Sequence, residues 1–347
     1  MAELCRLGLA PSTLRVPLPG MVEATLAAPA SLDALAQWDP AYALQVLPDL
    51  QAATGESIAD LARACAVLQP PAWLQWPGRF AVHVVVPGQL KGQPKPALRT
   101  RADLLQAALH KLLMAGAPKR PASDGTRRLV QVMLLTSTEA LVSYAPLLPM
   151  GGAMTWPSLL PAGLADPPDD DTAPNSAFRK LREALAWLGN PPPGSRVVDL
   201  GASPGGWTHV LRQLDCQVTA IDRAPLAAHL MADAGVQYLR GDAFAWLPDA
   251  PVDGLVSDVI AYPQRVTEIL DAWCGGALMR WFVVQIKFKG PPDWAALDNA
   301  RAAAQNRGYL VRARHFFNDK NELTLIGVRD QSRVAAGGEV PVEVGNG

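Results

Sequence analysis

The sequence predicts an α/β protein in which an open, largely parallel seven-stranded sheet fills the C-terminal half, behind a separate N-terminal α/β region. Three observations predict it. From Arg196 to Trp207 an apolar β-branched run (Val197, Val198, Leu200) breaks into Gly201 and Ser203-Pro204-Gly205-Gly206, then resumes as an apolar periodic segment to Leu214: strand, glycine turn, helix. Strand-like runs at residues 196–200, 216–221, 236–239, 252–258, 281–287, 310–316 and 322–328 alternate mostly with helical stretches, the pattern of parallel strands joined by crossovers. Between the halves lies Pro-Ala-Gly-Leu-Ala-Asp-Pro-Pro-Asp-Asp-Asp-Thr-Ala-Pro, residues 161–174, which proline stiffens and aspartate solvates, so it is expected to space two bodies without packing. That divides the chain into 1–160, a linker at 161–174, a second domain at 175–330, and a Gly/Ala/Val-rich tail, 331–347, expected to be disordered.

The N-terminal elements are less regular. Residues 22–26 suggest a strand, 31–38 a short helix capped by Ser31, 57–68 a clearer helix, 79–86 a strand of β-branched residues, and 100–114 an amphipathic helix. Residues 129–135 and 140–144 pair as a hairpin around Ser137-Thr138-Glu139. In the second domain a helix over 176–188 stops at Gly189 and the prolines 191–193. No internal repeat is visible.

Composition bounds the function. A chain of 347 residues with 49% hydrophobic content fills two cores. The formal charge of −1 does not announce nucleic acid, yet residues 91–128 hold nine Lys/Arg against two acids, a local net of +7. Such a segment suits a phosphate backbone or, equally, a solvated basic loop. Cys5, Cys65, Cys216 and Cys274 are too far apart for a disulfide framework or a zinc site, so reduced thiols in a cytoplasmic protein are expected. No signal peptide or run of about eighteen apolar residues is present, so no membrane association is expected.

The site is expected at the carboxyl rim of the sheet. Gly201, Ser203, Pro204, Gly205 and Gly206 let a ligand approach the backbone closely, but their spacing is neither the dinucleotide nor the P-loop pattern. Asp222 ends the second strand about twenty residues on, where an acid accepts from a ribose diol; Gly241-Asp242 brings a further carboxylate to that rim. Acid, glycine turn and acid without a phosphate-binding lysine suit a nucleoside cofactor lacking phosphate, and S-adenosylmethionine fits best. The last two strands are joined by so few residues (318–321) that they form an antiparallel hairpin. Asp258 and Lys287, ending parallel strands, and Glu322, opening the reversed one, therefore share one sheet edge. Two lysines and two acids leave the sign of any lysine shift open, since burial and ammonium lower it and carboxylates raise it. His209 and His229 are expected to be surface or packing residues, and His315 has no partner visible in the sequence.

Asp199-Leu-Gly-Ala-Ser-Pro-Gly-Gly-Trp207 resembles the cofactor motif of the FtsJ-type ribose 2′-O-methyltransferases. Their Lys-Asp-Lys-Glu tetrad is matched in order by Lys180 in Lys-Leu-Arg-Glu, Asp258 in Val-Ser-Asp-Val, Lys287 in Val-Gln-Ile-Lys and Glu322 in Asn-Glu-Leu-Thr. The resemblance implies a class I, Rossmann-like methyltransferase domain that uses S-adenosylmethionine and no metal, with Lys287 as general base and Lys180, Asp258 and Glu322 orienting it and the hydroxyl. Asp258 is also expected to contact the cofactor. Over residues 22–330 the likeness is to members that methylate a cytidine ribose of 23S rRNA and carry a THUMP-type RNA-binding region, which turns the basic segment toward RNA and not DNA.

Trp207 could pack the helix or shape the cofactor pocket, with packing favoured. The sequence departs from the family where Ser-Arg-Ser is usual ahead of the first tetrad lysine: Asn175-Ser-Ala-Phe-Arg179 stands here, with Ala177 at the polar position and Ser176 or Arg179 as substitutes. The N-terminus is short and Pro-rich, which implies a truncated ferredoxin-like accessory piece. Two other functions are weighed: a non-catalytic cofactor- and RNA-binding module of ribosome assembly, against which the complete tetrad speaks, and a small-molecule methyltransferase, against which the basic segment speaks.

Overall fold

The computed structural model describes residues 3, 14–16, 21–25, 32–38, 40–87, 96–117 and 125–330. The cap expected at Ser31, Cys5, Lys91, Lys95, Lys119, Arg120, the 331–347 tail and most of the N-terminus lie outside the described residues. The chain divides into two compact units, Met1–Asp166 and Pro167–Gly347.

In the first unit β1 (Leu14–Arg15) and β2 (Glu23–Ala24) form a short antiparallel ladder, and α1 spans Leu32–Trp38. Then come β3 (Gln51–Thr54), α2 (Ile58–Val67), β4 (Arg79–Val85), α3 (Pro96–Gly116), β5 (Thr126–Leu134) and β6 (Glu139–Pro146). A second two-residue ladder joins β7 (Leu148–Pro149) to β8 (Thr155–Trp156). The sheet order is β3-β6-β5-β4, with β4 parallel to β5 and the other pairs antiparallel. The hairpin is present as expected. β3 was not expected, because Gln-Ala-Ala-Thr lacks a β-branched run; its pairing with β6 makes it a strand. Ser57 caps α2 as a capping box: its Oγ accepts from Asp60 N at 3.1 Å and Asp60 Oδ2 from Ser57 N at 3.2 Å. Leu61, Cys65, Trp73, Leu105, Leu109, Val130 and Val142 meet in the core of this unit.

Part of the basic segment is structural. Arg128 is 1% exposed, donates to Trp73 O at 2.8 Å and lies over the Trp73 ring at 4.9 Å, so its charge is spent inside. Arg101 donates to Glu56 O at 3.2 Å, whereas Arg99, Lys111 and Arg127 are exposed.

The 161–174 stretch is more than a solvated spacer. Pro161–Gly163 forms a 3₁₀ turn with Gly163 buried, at φ +69° and so close to Leu44 O that no Cβ would fit. Further on, Asp170 is hydrogen-bonded to Thr172, to His209 Nε2 at 3.0 Å and to Gln213 Nε2 at 2.8 Å, which holds its carboxyl well below the usual range. A short side chain beside free backbone N–H groups tends to fold onto them, and composition alone does not show this.

The second unit opens with α4 (Phe178–Leu188) and continues through β9 (Arg196–Leu200), α5 (Gly206–Gln213), β10 (Gln217–Asp222), α6 (Ala228–Met231), β11 (Val236–Arg240), β12 (Gly254–Ser257), α7 (Pro263–Gly275), β13 (Trp281–Lys287), α8 (Trp294–Gln305), β14 (Tyr309–Arg314) and β15 (Glu322–Arg329). All seven expected strands form one sheet, in the order β11-β10-β9-β12-β13-β15-β14, with β15 antiparallel to both neighbours and the rest parallel. Every residue of β12 is buried, as are Val197 to Leu200 of β9. Burial of successive residues means both faces of the sheet are covered, which explains why these strands read as continuous apolar runs. α4 packs on α5, and α7 on α8.

No described helix is long and apolar enough to cross a membrane. Cys65, Cys216 and Cys274 are buried free thiols, and among the described residues no His/Cys/Asp/Glu group could hold a metal ion.

Candidate active site

β9 delivers the chain to the glycine turn at the carboxyl edge of the sheet. Gly201 stands at φ +75°, and a Cβ there would lie 3.0 Å from the Val259 Cβ; Gly205, at φ +113°, swings the chain into α5. Asp222, last residue of β10, secures the turn: its Oδ2 accepts from Ser203 N at 3.0 Å and its Oδ1 from Ala224 N at 2.9 Å. A carboxylate has about four lone-pair sites, so Asp222 keeps acceptor capacity for a ligand. Gly201, Ser203, Pro204, Gly206, Asp222 and Asp258 line a cavity of about 430 Å³, within the roughly 300–1,000 Å³ common for small-molecule sites. This cradle, with its open glycine backbone and a carboxylate at the next strand end, fits a nucleoside cofactor.

Two expected cofactor residues do not line that cavity. Gly205 acts through backbone conformation, and Asp242 is half-buried, accepting from Phe244 N at 3.0 Å and from Arg223 Nη2 at 2.7 Å, bonds that hold its carboxyl below the usual range.

Trp207 is buried and also reaches the cavity. It is 3% exposed, donates Nε1–H to Ala177 O at 2.9 Å and lines the cavity. At the departure from the family pattern, neither Ser176 nor Arg179 lines the cavity; Arg179 pairs with Asp169. Asn175 lines it instead, its Oδ1 accepting from Ala177 N at 3.2 Å and occupying the place a Gly206 Cβ would take.

The four tetrad positions converge at the rim. Lys287 closes β13 and Glu322 opens β15 as its antiparallel register partner, so the hairpin return sets them side by side. Asp258 follows β12, and Lys180 comes from the first turn of α4. Lys287 Nζ lies 2.8 Å from Asp258 Oδ1 and 2.7 Å from the Asp258 carbonyl oxygen; Lys180 Nζ lies 3.4 Å from Asp258 Oδ2 and 2.5 Å from Glu322 Oε1. The Asp258 carboxylate thus bridges the two lysine side chains, and Glu322 also anchors Lys180. Burial alone would push the Lys180 pKa down, but Asp258, Glu322 and Asp319 together outweigh it and raise it, so Lys180 stays charged at neutral pH. Lys287 lines the cofactor-sized cavity and also a neighbouring one, against Tyr262 and Lys289.

Residues 174–280 match the FtsJ-like methyltransferase family. The ribosomal RNA large subunit methyltransferases M of Xanthomonas oryzae pv. oryzae and Xanthomonas axonopodis pv. citri are 30% and 31% identical, each alignment covering 69% of this chain and 69% of the relative. The chain belongs to that family. The namesake enzyme from Alkalilimnicola ehrlichii is 37% identical over 53% of each chain.

Three buried acids have no expected role in the sequence. Asp199, quoted there only as the motif's first letter, is 1% exposed beneath the cavity, accepts from Thr208 Oγ1 at 2.7 Å, and burial pushes its carboxyl up to about 7. Asp319 accepts from Gln285 Nε2 at 3.2 Å, from Phe316 N at 3.0 Å and from Thr324 Oγ1 at 3.0 Å, and is likewise raised to about 7 by burial. Glu183, on α4, accepts from Phe317 N at 3.1 Å and from Asn318 N and Nδ2 at 2.9 Å. Its register on α4 among buried positions was the available signal. His209 is a buried partner of Asp170, and His315, for which the sequence offered no partner, meets Lys320 O at 2.9 Å.

The Asp319 shift has a pH consequence. A folded-state pKa raised above the unfolded value means the native state binds the extra proton, so the stability this group contributes is fullest below about pH 4 and is lost as pH rises through about 7. Asp319→Asn removes that dependence. Thermal melts at pH 5 and pH 8 are expected to show a smaller Tm decrease in the variant than in the wild type; equal decreases would mean Asp319 is already ionised in the native state at pH 5.

Proposed function

We propose that this protein transfers the methyl group of S-adenosylmethionine to a ribose 2′-oxygen of ribosomal RNA, a cytidine of 23S rRNA, in the cytoplasm. The observation that carries the reading is the convergence of Lys180, Asp258, Lys287 and Glu322, of which Asp258 and Lys287 line the glycine-turn cavity. When bound, the cofactor supplies a methyl carbon activated by a sulfonium. Asp222 would accept from its ribose hydroxyls, and the turn from Gly201 to Gly206 would receive its remaining parts against backbone. Lys287, as the neutral amine, would take the 2′-hydroxyl proton onto Nζ as the hydroxyl oxygen attacks. Asp258 holds Lys287 in place and Lys180, kept charged by its carboxylates, holds Asp258 and Glu322. The whole step asks for in-line positioning more than for a strong base.

In this reading the N-terminal unit, with a THUMP-like role, grips RNA through exposed basic side chains such as Arg99, Lys111 and Arg127. RNA affinity should then fall steeply with added salt.

The test is methyl transfer from radiolabelled S-adenosylmethionine to 23S rRNA transcribed without modifications and to ribosomal particles carrying it, with the label mapped to base or ribose. Label on a cytidine 2′-oxygen supports the reading. A protein that binds cofactor and RNA yet transfers nothing to either would be the non-catalytic module instead. Asp222→Ala is expected to weaken S-adenosylmethionine binding by about 10- to 100-fold in calorimetry, since hydrogen bonds to a charged group contribute about 1.5–3 kcal/mol each; an unchanged Kd would remove Asp222 from the cofactor site.

A further inference from the structure

Lys287 stands between two cavities. The second encloses about 190 Å³ and is lined by Tyr262, Pro263, Phe288, Lys289 and Asp293 as well as Lys287. Its walls are the loop that follows β12 and the segment that follows β13, the latter pinned by Asn321 Nδ2, which donates to Phe288 O at 2.8 Å and to Gly290 O at 2.9 Å. Tyr262 is 60% exposed, an uncommon cost for a large ring, and nearby Ile260 is 89% exposed. Lys289 Nζ lies 4.4 Å from the centre of the Tyr262 ring and donates to its hydroxyl at 3.1 Å, so the ring is oriented while much of its surface stays open. Asp293, the one acid of the lining, is committed to capping α8, its Oδ1 accepting from Ala296 N at 3.0 Å.

We propose that this second cavity receives the acceptor nucleotide, with Tyr262 stacking on its base and Lys289 meeting its phosphate. The assignment rests on the methyl-transfer reading above and names the substrate residues of the same site. In-line displacement puts nucleophile and leaving group on opposite sides of the carbon. With the cofactor in the glycine-turn cavity, the hydroxyl must reach Lys287 from elsewhere, and the Tyr262 cavity is the second space that Lys287 lines. It is smaller than a whole-ligand pocket, as suits one nucleotide of a strand that otherwise runs outside. An exposed aromatic ring beside an ammonium is the pairing that holds an unstacked nucleotide, the ring on its π-face and the cation on its backbone.

Full-length wild type, Tyr262→Phe, Tyr262→Ala and Lys289→Ala are compared for 23S rRNA methylation kinetics, S-adenosylmethionine Kd by calorimetry, and ultraviolet cross-linking to unmodified 23S rRNA with the linked peptide mapped. Expected are a KM for RNA raised about tenfold or more in Tyr262→Ala, a smaller rise in Lys289→Ala, near wild-type behaviour in Tyr262→Phe, an unaltered cofactor Kd throughout, and a cross-link on Tyr262. Methyl transfer that proceeds with unchanged KM in Tyr262→Ala and a cross-link elsewhere overturns the pocket and leaves the methyl-transfer reading standing. A Tyr262 cross-link in a wild type that transfers no methyl supports the pocket and overturns that reading; no RNA binding at all overturns both.

Discussion

Replacing Lys287 with alanine is expected to lower kcat for methyl transfer by about 10²- to 10⁴-fold, the usual contribution of a positioned proton acceptor, with the cofactor Kd near that of wild type. The expectation follows from where Nζ is held. One residue, Asp258, holds it through both carboxylate and carbonyl, and the same amine lines both cavities. The substitution therefore removes the group at the meeting point and leaves the turn and Asp222 as they are. Asp258→Ala should be worse for the protein itself: Lys180 and Lys287 would lose the carboxylate they share, and breaking one side of a largely buried charge network costs more than the network contributes. Single-turnover assays with saturating cofactor check the first expectation. A Lys287→Ala enzyme within tenfold of wild type would show that positioning alone carries the reaction.

Glu183→Ala is expected to lower the Tm of the C-terminal unit by about 6–12 °C, from roughly 3 kcal/mol for two backbone N–H groups that lose a charged acceptor. Glu183 is 1% exposed and belongs to the helix that carries Lys180, while Phe317 and Asn318, which donate to it, belong to the turn leading to Glu322. One side chain thus ties together the two elements that bring the outer Lys–Glu pair within 2.5 Å. Glu183→Gln, still an acceptor, should fall between the two, and kcat should decrease in the same order. Differential scanning calorimetry would refute the expectation if Glu183→Ala melted within about 2 °C of wild type.

Much of the catalytic unit was legible because its strands are short apolar runs bounded by glycine, proline or acids, and because the brevity of residues 318–321 forces an antiparallel return. The N-terminal unit was less so. β3 has no strand signal of its own and exists by pairing with β6, and the basic count over 91–128 did not distinguish Arg128, buried against Trp73, from Arg127, exposed one residue earlier. Likewise, Asp170 looked like part of a solvated spacer until His209 and Gln213 were seen to bind it.

The sequence by itself determined the parallel sheet, the glycine turn with Asp222 twenty or so residues on, and the order in which Lys180, Asp258, Lys287 and Glu322 occur, since each depends on local pattern and spacing along the chain. Only the tertiary structure decided which side chains meet: that Asn175 and not Ser176 or Arg179 lines the cavity, that Asp242 turns away to Arg223, that carboxylates keep Lys180 charged, and that Lys287 faces Tyr262 as well as the cofactor-sized cavity. Those outcomes depend on burial and on distances across strands and helices far apart in sequence, and Coulomb and hydrogen-bond energies follow separation in space.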